Sequence, residues 1–201
     1  MKVLFAAAEA VPFAKIGGLG DVIGSLPKAL KNKNTDIRVI MPLYSNITLR
    51  YGQDLTDLGI ITVPVSWRKQ YCGLKTLIND GIRYYFIDNE YYFKRDKLYG
   101  YDDDAERFAF FSRAILECLP ELGFKPDILH CHDWHTAIAS IFLRAFYAEN
   151  KFYKGIQTIL TIHNIAYQGI FPNYILGDIL GIGDNYDIAG ALKYNSAINY
   201  L

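Results

Sequence analysis

Apolar residues open the chain as an unbroken run, Val3-Leu4-Phe5-Ala6-Ala7-Ala8, which stops at Glu9. A short run that is apolar on both faces predicts a first buried strand of a parallel sheet. Beyond Pro12 and the cluster Gly17-Gly18-Leu19-Gly20, apolar residues recur at Val22, Ile23, Leu26 and Leu30. That spacing predicts a helix over 21–30, weakened locally at Pro27. Residues 37–41 predict a second strand, closed by Pro42. The opening is therefore a βαβ unit, expected to be parallel and right-handed.

The middle of the chain is β-rich in short runs, at 60–65, 71–78 and 82–87, and Asn79-Asp80-Gly81 carries the turn chemistry of a hairpin. Antiparallel or mixed strands are expected there. Phe108, Phe111, Ala114, Ile115, Cys118, Leu119 and Leu122 recur at three and four residues, predicting an amphipathic helix over 104–122. A strand at 128–132, a helix at about 136–148 and a strand at 157–162 follow. Strands alternating with helices predict an α/β layered domain, with ligands outside the carboxyl ends of its strands. Ile188, Leu192, Ile198 and Leu201 suggest a last helix over 186–201 with no stop signal after it, so the chain is expected to be cut from a longer one.

With 201 residues, 51% of them hydrophobic, the chain is long enough for one large domain with a real core. Lys+Arg 21 balance Asp+Glu 21, which removes the broad positive field that nucleic acid or anionic lipid would attract. No nucleic-acid partner is expected. Nor is a membrane partner, because no apolar stretch reaches the ~20 residues of a span. Cys72, Cys118 and Cys131 are few, odd in number and scattered, which points to a reducing, cytoplasmic setting.

Three loops at strand ends carry candidate chemistry. Lys15-Ile16-Gly17-Gly18-Leu19-Gly20-Asp21 joins the first strand to its helix, where backbone N–H groups and the helix dipole favour an anion. Its spacing fits neither the dinucleotide fingerprint nor the P-loop. Lys15 is either a mobile cation for a diphosphate or a solvated loop lysine. Asp21 is either a first-turn acid or an acceptor for a ligand hydroxyl. In His130-Cys131-His132-Asp133-Trp134-His135, the first two histidines share one strand face. A structural zinc site wants four ligands with a second pair at recognisable distance, and the only other histidine is His163, so no metal is expected. Asp133 caps the next helix, meets sugar hydroxyls or orients a histidine, and Trp134 either packs beneath or stacks on a ligand. The third loop, Thr161-Ile162-His163-Asn164-Ile165-Ala166-Tyr167-Gln168-Gly169, crowds donors and acceptors suited to a polyhydroxylated ligand. Asp102-Asp103-Asp104 is expected to cap the helix that follows it, rather than hold a divalent ion. The tyrosines Tyr91, Tyr92, Tyr99 and Tyr101 are expected mainly to pack.

These blocks, in this order, resemble the bacterial glycogen synthases and plant starch synthases that use ADP-glucose. The family's K-x-G-G-L signature is matched by Lys15-Ile16-Gly17-Gly18-Leu19, its H-x-H-D-W element by residues 130–134, and its T-[IV]-H-N-x-A-Y-Q-G element by residues 161–169. The resemblance implies a Rossmann-like three-layer domain with a mostly parallel sheet and a β-hairpin insertion, the amino-terminal domain of a GT-B glycosyltransferase. It implies that residues 1–201 form only this domain, clipped, with the carboxyl-terminal nucleotide-binding domain absent. The implied reaction is retaining transfer of glucose from ADP-glucose to the non-reducing end of an α-1,4-glucan, with no cofactor. By the same resemblance Lys15, Gly17 and Gly18 contact the donor, Asp21 supports their loop, and Asp133 and His163 act near the reacting centre. The alternative is a non-catalytic module that binds a glycan or a nucleotide.

Overall fold

A computed structural model of the chain describes residues 1–31, 34–183 and 188–201. In chain order the first half contains β1 (Lys2–Ala6), α1 (Gly18–Lys31), β2 (Asp36–Pro42), α2 (Ser45–Tyr51), β3 (Thr56–Val65), β4 (Arg68–Asn79), β5 (Ile82–Asp88) and α3 (Glu90–Phe93). The second contains α4 (Asp104–Glu121), β6 (Ile128–His132), α5 (Trp134–Phe146), β7 (Gln157–Thr161), β8 (Ile170–Pro172), α6 (Ile175–Asp178), α7 (Ala189–Leu192), β9 (Lys193–Tyr194) and β10 (Ala197–Asn199). Seven strands form one sheet in the order β3-β4-β5-β2-β1-β6-β7, and β8, β10 and β9 form a second, small one.

Five neighbouring strands, β5 through β7 in sheet order, are parallel, while β3 and β4 are antiparallel additions. The α/β sheet with an antiparallel insertion is therefore the expected one. Each central strand is apolar because both its faces are covered: Leu4, Phe5 and Ala6 of β1 and Val39, Ile40 and Met41 of β2 are fully buried. From β1 the chain winds outward through β2 in one direction and returns at β6 in the other. Right-handed crossovers then place α1 and α5 on opposite faces, with α4 packed beside α5. The strand order reverses between β1 and β6, which is where a doubly wound sheet opens its binding crevice.

Asp80 and Gly81 both take positive φ, 50° and 74°, as the two-residue turn between β4 and β5 requires. The end of α1 is fastened to that turn, because Lys31 Nζ donates to the Gly81 carbonyl at 2.7 Å. Helix α1 runs through Pro27 unbroken and begins at Gly18, three residues before the expected start.

The expected helix over 186–201 is not formed. Residues 186–187 lie outside the described residues, and 188–201 fold as the single turn α7 followed by the hairpin of β9 and β10. Asn195, at φ 54°, makes its turn. The decisive contacts are distant ones: β10 pairs with β8, and the buried Tyr200 donates its hydroxyl to the Ala105 carbonyl at 3.1 Å. A local periodicity cannot register such pairing, and tertiary contacts overrode it.

Candidate functional site

The loops that leave β1, β6 and β7 border a cleft of ≈ 830 Å³ at the point where the strand order reverses. Gly17, Gly18, Asp133 and His163 all line it. Lys15 and Asp21 do not; they pair with one another at 2.6 Å, about half exposed.

Glu9, the residue that ends the first apolar run, organises the glycine loop. Its carboxylate is 2% exposed, and Oε2 accepts the N–H groups of Ile16 at 2.7 Å and Gly17 at 2.9 Å. Oε1 accepts the Tyr99 hydroxyl at 2.7 Å. Two of the N–H groups expected to meet an anion are thus already committed, and those of the first turn of α1, from Gly18 onward, have no partner among the described residues. The Tyr99 hydroxyl is held well above its ordinary pKa by burial and then by Glu9, so it stays a donor. Neither role was visible beforehand, since the sequence only marks Glu9 as a strand end and Tyr99 as one of many tyrosines.

Asp133 follows β6 at φ 56°, ψ −179°, a conformation that costs a non-glycine residue of order 1–3 kcal/mol. Its side chain makes no capping bond to α5. Instead Oδ1 accepts the backbone N–H of His163 at 2.7 Å and of Asn164 at 3.3 Å, tying the end of β6 to the loop after β7. Trp134 packs beneath that loop and also lines the cleft: a Cβ on Gly169, at φ +65°, would stand 2.6 Å from its ring. The Tyr200 N–H closes the loop onto the Gly169 carbonyl at 3.1 Å.

The histidines form two groups. His130 and His132 face each other across 4.1 Å on one side of β6, His130 Nε2 meets Thr161 Oγ1 at 2.7 Å, and His132 Nδ1 meets His163 Nε2 at 2.9 Å. Burial, aided by His130 and His163, drops the His132 pKa to about 2. His135 is wedged between Trp134, Tyr99 and Phe108, and burial, then Arg107, lowers its pKa to about 3. Both rings are neutral near pH 7. Among the described residues no group of three or more His, Cys, Asp or Glu side chains is arranged to hold a metal ion.

The acidic run works differently from the expected cap. Asp103 makes no side-chain bond to α4 and pairs with Arg95 at 2.6 Å. Asp104 Oδ2 accepts the N–H groups of Gly100 and Tyr101, and Oδ1 meets the fully buried Arg107 at 2.5 Å. Arg107 also donates to the carbonyls of Tyr92 and Leu98. This network fixes the loop bearing Tyr99, the cleft's far wall.

The cleft can therefore offer helix-end N–H groups to an anion and neutral donors to hydroxyl groups. Known proteins resemble this chain along its length. The family model of the starch synthase catalytic domain matches residues 2–201. Glycogen synthase of Desulforamulus reducens is 54% identical over 201 residues, which is 100% of this chain and 42% of that protein. Glycogen synthase of Bacillus cereus (strain B4264) is 50% identical over the same span and the same 42%. The solved catalytic domain of starch synthase IV from Arabidopsis thaliana, bound to ADP and acarbose, superposes with a TM-score of 0.84 at 32% identity, over 98% of this chain and 41% of that one. The chain thus spans about 42% of the length of the relatives it matches. With the family model covering all but the first residue and residues of all three loop motifs lining one cleft, the chain belongs to the family of starch synthase catalytic domains.

Proposed function

We propose that this chain forms one wall of the active site of a glycogen or starch synthase, an ADP-glucose-dependent α-1,4-glucan glucosyltransferase of the GT-B kind. The observation that carries the reading is the meeting, in one open cleft at the sheet's switch point, of the glycine-started helix α1 with the Asp133-braced His163 loop. That the Arabidopsis starch synthase IV domain was solved with ADP and acarbose supports a nucleotide donor and a sugar chain as occupants.

In this reading the first turn of α1 faces the donor's diphosphate. As the bond from sugar to diphosphate stretches, negative charge grows on the phosphates and positive charge on the ring, so fixed N–H dipoles and cations act mainly in the transition state. Lys15 is the cation of this wall: released from Asp21, its flexible stem carries the ammonium toward the phosphates. The leaving diphosphate is already acidic and requires no carboxylic acid to protonate it. Asp133 then serves by holding the His163 loop against the donor sugar, and no cofactor takes part.

The opposite wall is assigned to a second Rossmann-like domain of the same enzyme, and the acceptor is the non-reducing end of an α-1,4-glucan. A cytoplasmic location fits the three cysteines, all free and buried. The test is glucosyl transfer from labelled ADP-glucose to glycogen by the full-length enzyme and by this chain alone. Transfer is expected from the first only. Transfer by the isolated chain, or none by the full-length enzyme, overturns the reading.

A further inference from the structure

The bond between His132 and His163 leaves a proton to be placed. His132 Nδ1 and His163 Nε2 are 2.9 Å apart, so one donates and the other accepts. The other ring nitrogen of His132, Nε2, is buried, and among the described residues no protein group reaches it. If the proton sat there, a buried N–H would be orphaned; if it sits on Nδ1, only a lone pair is left unpaired. Orphaned buried N–H groups are the rarer and costlier of the two.

We infer that His132 is a positioning residue, donating its Nδ1–H to Nε2 of His163 and thereby fixing His163 as the Nδ1–H tautomer that faces the cleft's ligand as a neutral donor. His132 is well built to hold this state. Phe5 stacks on its ring at 5.3 Å, the His132 N–H donates to Thr136 Oγ1 at 2.7 Å, and the residue is fully buried. Among the described residues the titratable rings that face it are His130 on its own strand and His163 on the loop after β7, while the neighbouring Asp133 carboxylate is turned to the His163 backbone N–H. His163 is also held by its backbone, through Asp133, so ring and main chain are fixed from two directions. With Nε2 committed as an acceptor, the ring's proton must be on Nδ1, for which no protein acceptor is found among the described residues, while the residue itself lines the cleft. A hydroxyl or phosphate oxygen of a bound sugar nucleotide is the acceptor that such a donor suits.

The tautomer stands apart from the proposed reaction; only the kinetic test rests on it. Nitrogen-15 NMR of the histidine-labelled full-length enzyme at neutral pH is expected to show His132 Nδ1 and His163 Nδ1 protonated and both Nε2 atoms unprotonated. A proton found on His132 Nε2 or on His163 Nε2 overturns the inference. In glucosyl transfer, His132→Asn, whose amide can place an N–H near the Nδ1 position, is expected to keep kcat/KM within about threefold, while His132→Phe loses about tenfold, the equivalent of one hydrogen bond. Equal loss in both variants, or none in His132→Phe, also overturns it. A wild-type enzyme with the expected nitrogen pattern but no transfer from ADP-glucose would instead refute the proposed reaction and leave the tautomer standing.

Discussion

One carboxylate oxygen, Oδ1 of Asp133, holds the backbone N–H of His163 at 2.7 Å and so joins two parallel strands beyond the last bond of their ladder. Because this bond is to a main-chain donor, its loss has a definite signature. Asp133→Asn keeps an acceptor at the same place and is expected to unfold within about 1 kcal/mol of wild type, whereas Asp133→Ala strands two N–H groups and costs about 1–3 kcal/mol. Urea unfolding measures both. Activity in the full-length enzyme should fall further for Asp133→Ala than stability alone explains, since the His163 loop loses its brace.

Glycines of the two loops should separate stability from binding. At Gly169 a Cβ meets the Trp134 ring at 2.6 Å and the φ is +65°, so Gly169→Ala is expected to cost about 1–3 kcal/mol by overpacking alone. At Gly17 and Gly18 a Cβ meets nothing within 4 Å. Alanine there should leave the melting temperature unchanged while weakening ADP binding, because both residues line the cleft. Equal ADP affinity for Gly18→Ala and wild type would remove the first turn of α1 from the donor site.

The strand ends and their loops were legible because buried parallel strands announce themselves as apolar runs, and β6 spans residues 128–132 as its pattern predicts. Gly17, Gly18, Asp133 and His163 were legible as motif residues, and the fold carries all four to one cleft. What stayed hidden depends on long-range partners. Glu9 reads as punctuation until Tyr99, ninety positions later, donates to it. The carboxyl-terminal hairpin reads as a helix until β8 pairs with β10. Asp103 and Asp104 differ, because their partners Arg95 and Arg107 are near in sequence: they read as caps since a carboxylate before a helix can equally cap it, and only the fold shows which groups they reach.

Lys15 and Asp21 give a prediction that inverts the usual pattern. Exposed ion pairs add little stability, so Lys15→Ala and Asp21→Asn are each expected to shift unfolding by no more than about 0.5 kcal/mol. Lys15→Ala in the full-length enzyme should nonetheless raise the KM for ADP-glucose and leave the glucan KM unchanged. Unaltered donor kinetics would strip Lys15 of its assigned role.

The buried neutral histidines make the fold sensitive to acid. His132 and His135, with pKa values lowered to about 2 and about 3, stay unprotonated when folded, while in the unfolded chain they take up protons near pH 6.5. The unfolded state then binds more protons, so this stability is fully present above pH 6.5 and is lost progressively below it. The loss expected between pH 6.5 and pH 5 is about 2–4 kcal/mol for the two together. His135→Phe should flatten the slope by about one proton without loss of stability at pH 7, because both its ring nitrogens lack protein partners among the described residues. Denaturant midpoints measured across that range decide it.

Glu9 is the residue whose removal should reach furthest. One buried carboxylate serves the Ile16 and Gly17 N–H groups on one side and the Tyr99 hydroxyl on the other, so the glycine loop and the cleft's far wall share a single anchor. Tyr99→Phe removes only the hydroxyl and frees one lone pair; Glu9→Gln keeps one acceptor oxygen but loses the charge that strengthens all three bonds. If the two walls are coupled through this carboxylate, the double variant should be less destabilised than the sum of the single ones by about 1–2 kcal/mol. ADP affinity should follow Glu9→Gln and hardly move in Tyr99→Phe, since the loop, and not the wall, starts the helix that faces the diphosphate. Additive stabilities would mean that Glu9 holds the loop alone and that the Arg107 network suffices to place Tyr99.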